Sequence, residues 1–164
     1  MVDVQTISVV IAAASVVFGV IAWVLQNREN KEINQARLFM QIYDHLYSTE
    51  CVMQRLTIWN WDWSDFDDYW EKYGMQLSPE QSTKFISFVG RLEGIGVLVK
   101  RNLIDPKLVD DLISGPILRT WEKFGPMIIE TRERLDWPQH MEWFEYLYFQ
   151  IKSIAEKQHP ELKT

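Results

Sequence analysis

The stretch SPEQSTKFISFVGRLEGIGVLVK, residues 78–100, decides the fold because it carries both the start signal and the buried face of a long helix. Ser78 is placed to cap the helix, Pro79 takes the first helical position, and Gln81 completes a capping box. Apolar residues and one glycine then recur every three or four positions: Phe85, Phe88, Val89, Leu92, Ile95, Gly96 and Val99. This spacing predicts a helix with one broad face in a core.

The chain on the N-terminal side of this stretch has the same character. Residues 30–47 place apolar side chains at three- and four-residue spacing, which predicts an amphipathic helix. Ser48 or Thr49 is suited to cap a second helical segment. Sustained alternation of apolar and polar residues, which would indicate strands, is missing from the sequence after residue 27. We therefore predict an all-α fold.

Proline and glycine divide the C-terminal part of the sequence. Asp105 and Pro106 should start a short helix that stops near Gly115, and Pro116 should open the next one. Residues 125–126, a Gly-Pro pair, should kink or break that helix. The sequence LDWPQH should then start the last helix, which carries the final apolar-periodic segment.

The N-terminal sequence ISVVIAAASVVFGVIAWVL, residues 7–25, contains no charge and no proline. As a helix it would be roughly 28 Å long, close to the hydrocarbon thickness of a bilayer. We expect one N-terminal transmembrane helix in residues 1–27, followed by a compact cytosolic helical bundle in residues 28–160. A cleaved signal peptide fits less well, because no Lys or Arg precedes this long apolar run. A buried soluble helix fits less well because no polar face is nearby.

Positive residues flank the apolar segment on one side only. Arg28, Lys31 and Arg37 follow it, whereas none precedes it. The positive-inside tendency then predicts a single-pass protein of the cell membrane, with its N-terminus outside and its helical domain in the cytoplasm.

Small residues recur along one face of the apolar segment. Their spacing alternates between four and three positions, and they are Ser8, Ala12, Ser15, Gly19 and Ala22. Helices associate in lipid through close backbone approach, which such a face permits. We interpret the face as a helix-packing surface, although small residues are also common in apolar segments that pack against nothing.

The sequence WNWDWSDFDDYWEKYG, residues 59–74, is rich in aromatic rings and carboxylates. Ser64 is a plausible helix cap, and Gly74 is placed for a left-handed C-cap. A calcium loop is the functional alternative, but the acids do not keep the order of such a loop. We interpret the segment as a surface for a partner protein, since Trp is enriched at interfaces. The candidate contact residues are Trp59, Trp61, Trp63, Asp65, Asp67 and Asp68.

Several functional classes are disfavoured by composition and motifs. A formal net charge of −6 opposes nucleic-acid binding, and the single cysteine, Cys51, excludes an intramolecular disulfide. Glu156 and His159 form one Glu-x-x-His pair where a di-iron bundle needs two. The glycines of residues 90–96 follow no strand, so they suit helix packing better than phosphate binding. We expect no catalytic residue, no metal and no cofactor.

The sequence FVGRLEGIGVLVKRNLIDPKLVDDLISGPILRTWEKFGPMIIETRERL, residues 88–135, resembles a family of uncharacterised, single-pass membrane-anchored helical proteins of archaea and bacteria, known only as a domain of unknown function. The resemblance extends to LFMQIYDHLYS, residues 38–48, and to the acidic aromatic segment. It implies the helical fold and an N-terminal anchor. It implies no activity.

These observations favour a non-catalytic, membrane-anchored accessory or regulatory subunit. It would dock on a larger integral membrane complex through its transmembrane helix and its helical domain, in contact with the lipid bilayer. One alternative is a self-associating, membrane-tethered sensor or scaffold that binds a small ligand or a signalling partner. Another is an enzyme that uses dispersed acids.

Overall fold

Six helices and no strand make up the regular structure of the computed structural model, which describes residues 3–158 and, among residues 4–14, the backbone only. The helices are α1 (Val4–Leu46), α2 (Thr49–Trp59), α3 (Phe66–Tyr73), α4 (Pro79–Lys100), α5 (Pro106–Arg134) and α6 (Glu142–Gln158). The prediction of an all-α fold is confirmed for this part of the chain.

The predicted transmembrane helix is wrong. Over the described range 3–158, no helix combines the length and the apolar character that crossing a bilayer requires. The apolar residues of α1 whose side chains are described, 15–25, run directly into Gln26, Asn27 and Arg28. The expected location of the chain is not tested by this finding and stays a prediction.

The chain forms two compact units, Met1–Leu38 and Phe39–Thr164. The second unit contains the last turns of α1 and the helices α2 to α6. The predicted domain boundary after residue 27 stays a prediction.

Helix α4 lies at the centre of the second unit. It packs against α2, α3 and α6, and α5 packs against both α3 and α6. Its buried face is the one that the spacing predicts, with Phe85, Phe88, Val89, Leu92, Ile95, Gly96 and Val99 all buried. The rest of the core comes chiefly from Ile117, Phe124 and Ile128 of α5 and from Phe144, Leu147 and Ile151 of α6.

Local signals place the starts of α2, α4 and α5 correctly. Ser48 caps α2 by accepting a hydrogen bond from the Cys51 amide, and Asp105 caps α5 by accepting one from the Lys107 amide. Ser78 does precede α4, with Pro79 at the first helical position, but its side chain makes no capping hydrogen bond. The position of that cap is therefore confirmed, whereas the capping box is wrong.

The predicted break near Gly115 is confirmed as a kink, whereas the predicted kink or break at residues 125–126 is wrong. Helix α5 runs from Pro106 to Arg134 as two helical stretches joined across this kink, and the second stretch contains Pro116 and continues through Pro126. Its backbone leaves helical geometry only at Ile113 (φ −139°, ψ 17°), which lies in the turn before Pro116, where a proline ring crowds the helix. The last helix begins at Glu142, after the LDWPQH sequence, so its predicted start is wrong as well.

Gly96 allows α4 and α6 to approach closely. A Cβ atom at this position would lie 2.0 Å from the carbonyl oxygen of Trp143, at the start of α6. Real Cβ atoms do not tolerate such a distance, so the contact between the two helices depends on the missing side chain.

Candidate interaction surfaces

Helix α3 forms within the acidic aromatic segment and begins one residue later than its predicted cap implies. Asp65 is the N-cap, and its side chain accepts a hydrogen bond from the Asp68 amide at 3.0 Å. The amide of Ser64 instead donates to the Asp68 carboxylate at 2.9 Å. Gly74 ends the helix in extended geometry (φ −66°, ψ 147°), so the predicted left-handed cap is also wrong.

Two of the three candidate tryptophans pack on the core. Trp61 is only 7% exposed, and its ring stacks on Tyr73 with centroids 4.0 Å apart. Trp63 lies against Tyr69 and Phe124, with centroid distances of 5.1 and 5.3 Å. These rings hold the segment onto α5, and their role as partner contacts stays a prediction.

Trp59 is half-buried between cations and a hydroxyl. Its indole N–H donates to Thr120 Oγ1 at 3.0 Å, and the guanidinium of Arg119 lies 4.4 Å from its ring centroid. The ammonium of Lys123 donates to the backbone carbonyls of Trp59 and Trp61 at 2.8 and 2.5 Å. Burial lowers the pKa of Lys123. Lys123 of α5 thus holds the backbone of the segment in place at Trp59 and Trp61.

The candidate carboxylates remain on the outer side of α3. Asp65 and Asp67 are exposed, and Asp68 is half-buried. Asp68 forms an ion pair with Lys72 at 2.8 Å, and the hydrogen bond from Lys72 lowers the pKa of its carboxyl. Across the described residues, no group of three or more His, Cys, Asp or Glu side chains is arranged to hold a metal ion. The expected absence of metal and cofactor stays a prediction.

An open groove lies beside these carboxylates, between α3 and the end of α5. Its volume is about 700 Å³, and we call it the α3–α5 groove. It is lined by Phe66, Asp67, Trp70, Glu71, Leu77, Arg134 and Leu135. Leu77 is 62% exposed and Leu135 is 40% exposed, so the groove presents apolar as well as acidic surface.

A second open groove, which we call the α1–α4 groove, lies between the last turns of α1 and the outer side of α4. Its volume is about 580 Å³ and its walls are almost entirely apolar. It is lined by Gln41, Ile42, His45, Leu46, Arg91, Gly94, Ile95, Val97 and Leu98. Sequence reasoning missed this site, because the groove depends on how α1 and α4 lie side by side.

Two exposed glycines lie on the outer side of α4. A Cβ atom built at Gly90 or at Gly94 would have no atom within 4 Å beyond its own helix. The glycines of this helix were expected to serve close packing, but of these three positions only Gly96 does so. A glycine within a helix costs about 1 kcal/mol relative to alanine. Gly90 and Gly94 therefore weaken α4 without a compensating contact in the described structure.

Half-buried polar side chains join α4 and α5 to the start of α6. Glu93 accepts a hydrogen bond from the Phe144 amide at 2.6 Å, which places a carboxylate at the N-terminal end of α6. The guanidinium of Arg132 donates to the His140 carbonyl at 2.7 Å and to the Glu145 carboxylate at 2.6 Å. Burial raises the pKa of Glu93, and burial together with Arg132 lowers the pKa of His140. This cluster stabilises the junction.

Replacing Glu93 with glutamine will change the pH dependence of stability. Because the pKa of Glu93 is raised in the folded state, the native protein binds its proton more tightly than the unfolded chain does. The contribution of Glu93 to stability therefore falls as pH rises from about 4.3, the ordinary pKa of Glu, through the raised pKa. Glu93→Gln, whose amide oxygen still accepts from Phe144, should lose this fall.

Urea unfolding of both proteins between pH 4 and pH 7 measures the effect. The difference in free energy of unfolding isolates Glu93, because nearby Arg132, His140 and Glu142 are common to both proteins. A difference that is constant over this range would contradict the prediction.

The predicted small-residue face of α1 lies partly outside the described side chains. Nothing is described for the side chains of Ser8 and Ala12. Ser15, Gly19 and Ala22 are exposed, and a Cβ atom at Gly19 would meet no atom within 4 Å. A role of these three residues in packing against another helix stays a prediction.

Comparison with known proteins identifies the family. No curated protein and no solved structure matches the chain. The model of the family described as "Domain of unknown function (DUF4760)" matches residues 9–150. The expected membership in an uncharacterised family is confirmed, while the match does not bear on membrane anchoring or on a range of archaea and bacteria. Since the match covers most of its length, the chain belongs to the DUF4760 family.

Proposed function

We propose that this chain is a non-catalytic accessory or regulatory subunit that docks on a larger protein complex. The observation that carries the proposal is the α1–α4 groove, an apolar cleft beside two exposed glycines in the middle of α4. Its occupant is an amphipathic helix of the partner protein. An apolar helix face laid in an apolar groove is a common mode of recognition.

The exposed glycines support close approach of a helix. Since neither Gly90 nor Gly94 contacts a neighbouring side chain, a partner's backbone can come nearer to α4 here than at other positions. Ile42, Val97 and Leu98 then supply apolar surface beside the glycines. Burial of such surface contributes about 25 cal/mol for each Å² removed from water.

The charged residues that line the α1–α4 groove indicate which charge its partner carries. Among the residues that line the groove, His45 and Arg91 are basic and none is a carboxylate. The guanidinium of Arg91 donates to the Gln54 side chain and to the Ser87 carbonyl, and both acceptors lack formal charge. A partner helix with an acidic residue at the edge of its apolar face would complement this rim.

The chemistry of the groove walls supports a binding role. The lining residues offer one imidazole, one guanidinium and one amide, together with aliphatic side chains and a glycine. A hydrolytic or group-transfer site needs a nucleophile or a paired acid and base within hydrogen-bond reach. The lining of this groove does not provide such a pair.

Photocrosslinking in native cells tests the proposal. Benzoylphenylalanine at position 97, in the groove, should yield one crosslinked partner, whereas the same group at the exposed position 122 on α5 should not. Mass spectrometry of the adduct should identify an amphipathic helix with an acidic edge. The purified complex should have a fixed stoichiometry.

Gly94→Leu supplies the matched variant. Leucine favours helix, and its side chain would enter open space, so folding should be retained. The same side chain would occupy part of the groove, so affinity for the purified partner should fall at least tenfold. Equal adduct yields at positions 97 and 122, or unchanged affinity of Gly94→Leu, would overturn the proposal. An adduct between two copies of the chain would instead favour the self-associating scaffold.

A further inference from the structure

We infer that the α3–α5 groove is a second docking surface, which binds a Lys- or Arg-bearing amphipathic segment of a partner protein. The groove is separate from the α1–α4 groove and differs from it in charge. Phe66, Trp70, Leu77 and Leu135 provide its apolar surface, and Asp67 and Glu71 provide carboxylates. An occupant must therefore combine apolar and cationic side chains.

A cation of the chain itself already shows how this surface binds positive charge. The guanidinium of Arg134 lies 4.4 Å from the centroid of the Phe66 ring and forms an ion pair with Asp67. Its Nε also bonds to Glu130 at 2.8 Å. A guanidinium held between an aromatic face and a carboxylate is a favourable arrangement. Trp70 and Glu71 also line the groove and add a second aromatic ring and a second carboxylate.

The acids outnumber the cation in this lining. Asp67 and Glu71 face the groove, whereas Arg134 is its one basic lining residue and is shared between Asp67 and Glu130. The remaining field is negative and attracts basic segments while it repels nucleic acid and anionic lipid. The exposed side chains of Leu77 and Leu135 disfavour a purely ionic ligand, because they would stay in contact with water.

A designed peptide pair provides the probe. One fluorescent 14-residue peptide of Leu and Lys at helical spacing carries the expected chemistry, and a second has Ser in place of Leu and the same charge. Fluorescence anisotropy at low salt should show saturable binding of the Leu/Lys peptide and at least tenfold weaker binding of the Lys/Ser peptide. Equal binding of the two peptides, or equal competition by spermine, would overturn the inference.

Variants of the full chain locate the binding. Glu71→Lys and Leu135→Ser should each weaken binding of the Leu/Lys peptide at least fivefold. The matched controls are Glu122→Lys and Leu103→Ser. Glu122 lies on α5 roughly 18 Å before Arg134, and Leu103 is another exposed leucine. Both should change binding less than twofold. If Glu122→Lys weakens binding as much as Glu71→Lys does, the attraction is non-specific and the inference fails.

The experiment is independent of the proposed subunit role. The probe carries basic residues and uses the α3–α5 groove, so Gly94→Leu should bind it as the unsubstituted protein does. Loss of probe binding in Gly94→Leu would contradict the assignment to this groove. A negative result with the probe would leave the crosslinking result at position 97 unaffected.

Discussion

Replacing Gly96 with alanine will lower the free energy of unfolding by about 3 kcal/mol. The added methyl group would lie 2.0 Å from the carbonyl oxygen of Trp143 and 2.6 Å from the carbonyl carbon. Both atoms belong to the backbone, so a side-chain rotation cannot relieve the contact. The two helices must move apart, which loosens packing around Ile95 and Phe144. Thermal unfolding should show a melting temperature that is lower by roughly 6–12 °C.

Alanine at Gly90 and Gly94 provides the control within the same helix. Both positions open onto empty space, so the new methyl groups meet nothing. Each substitution should stabilise the protein by up to about 1 kcal/mol, because alanine favours helix over glycine. If Gly94→Ala destabilised the protein as much as Gly96→Ala, the close α4–α6 contact would not be the cause.

Phe124→Ala should lower the free energy of unfolding by about 4 kcal/mol. Phe124 is fully buried and lies against Trp61, Trp63 and Phe85, with centroid distances of 6.0, 5.3 and 5.0 Å. Its removal leaves a cavity where the acidic aromatic segment meets α4 and α5. Urea unfolding should measure the loss, and near-UV circular dichroism should report weaker ordering of the tryptophans.

Phe149→Ala is the matched control for this substitution. The Phe149 side chain is 55% exposed on α6, so its truncation should change the free energy of unfolding by less than about 0.5 kcal/mol. A small effect of Phe124→Ala, comparable with that of Phe149→Ala, would show that the segment does not depend on the core.

Helix starts were the most predictable part of the structure. Ser48, Pro79, Asp105 and Pro106 act on the amides and carbonyls of their own first turn, and these interactions are local. The buried face of α4 was also predictable, because the 3.6-residue repeat places Phe88, Leu92 and Ile95 on one side.

The candidate surfaces were harder to predict. Nothing in the sequence indicated that Trp59, Trp61 and Trp63 have partners on α5, where Phe124 and Lys123 hold this part of the segment against the core. The partners of the segment lie some sixty positions away in the chain. Neither groove could be predicted from the periodicity of one helix, because each is lined by residues that lie far apart in the sequence.

The sequence by itself determined that the described chain is helical, where α2, α4 and α5 begin, and which face of α4 is buried, because capping and periodicity act within a few residues. The transmembrane interpretation of residues 7–25 relied on the same local apolarity and was wrong for the part of α1 whose side chains are described. Tertiary structure alone decided that the backbone of Trp143 packs against Gly96 while Gly94 faces open space. It also decided that Glu93 accepts a hydrogen bond at the N-terminal end of α6. Such outcomes depend on distances between helices, which no local pattern of residues specifies.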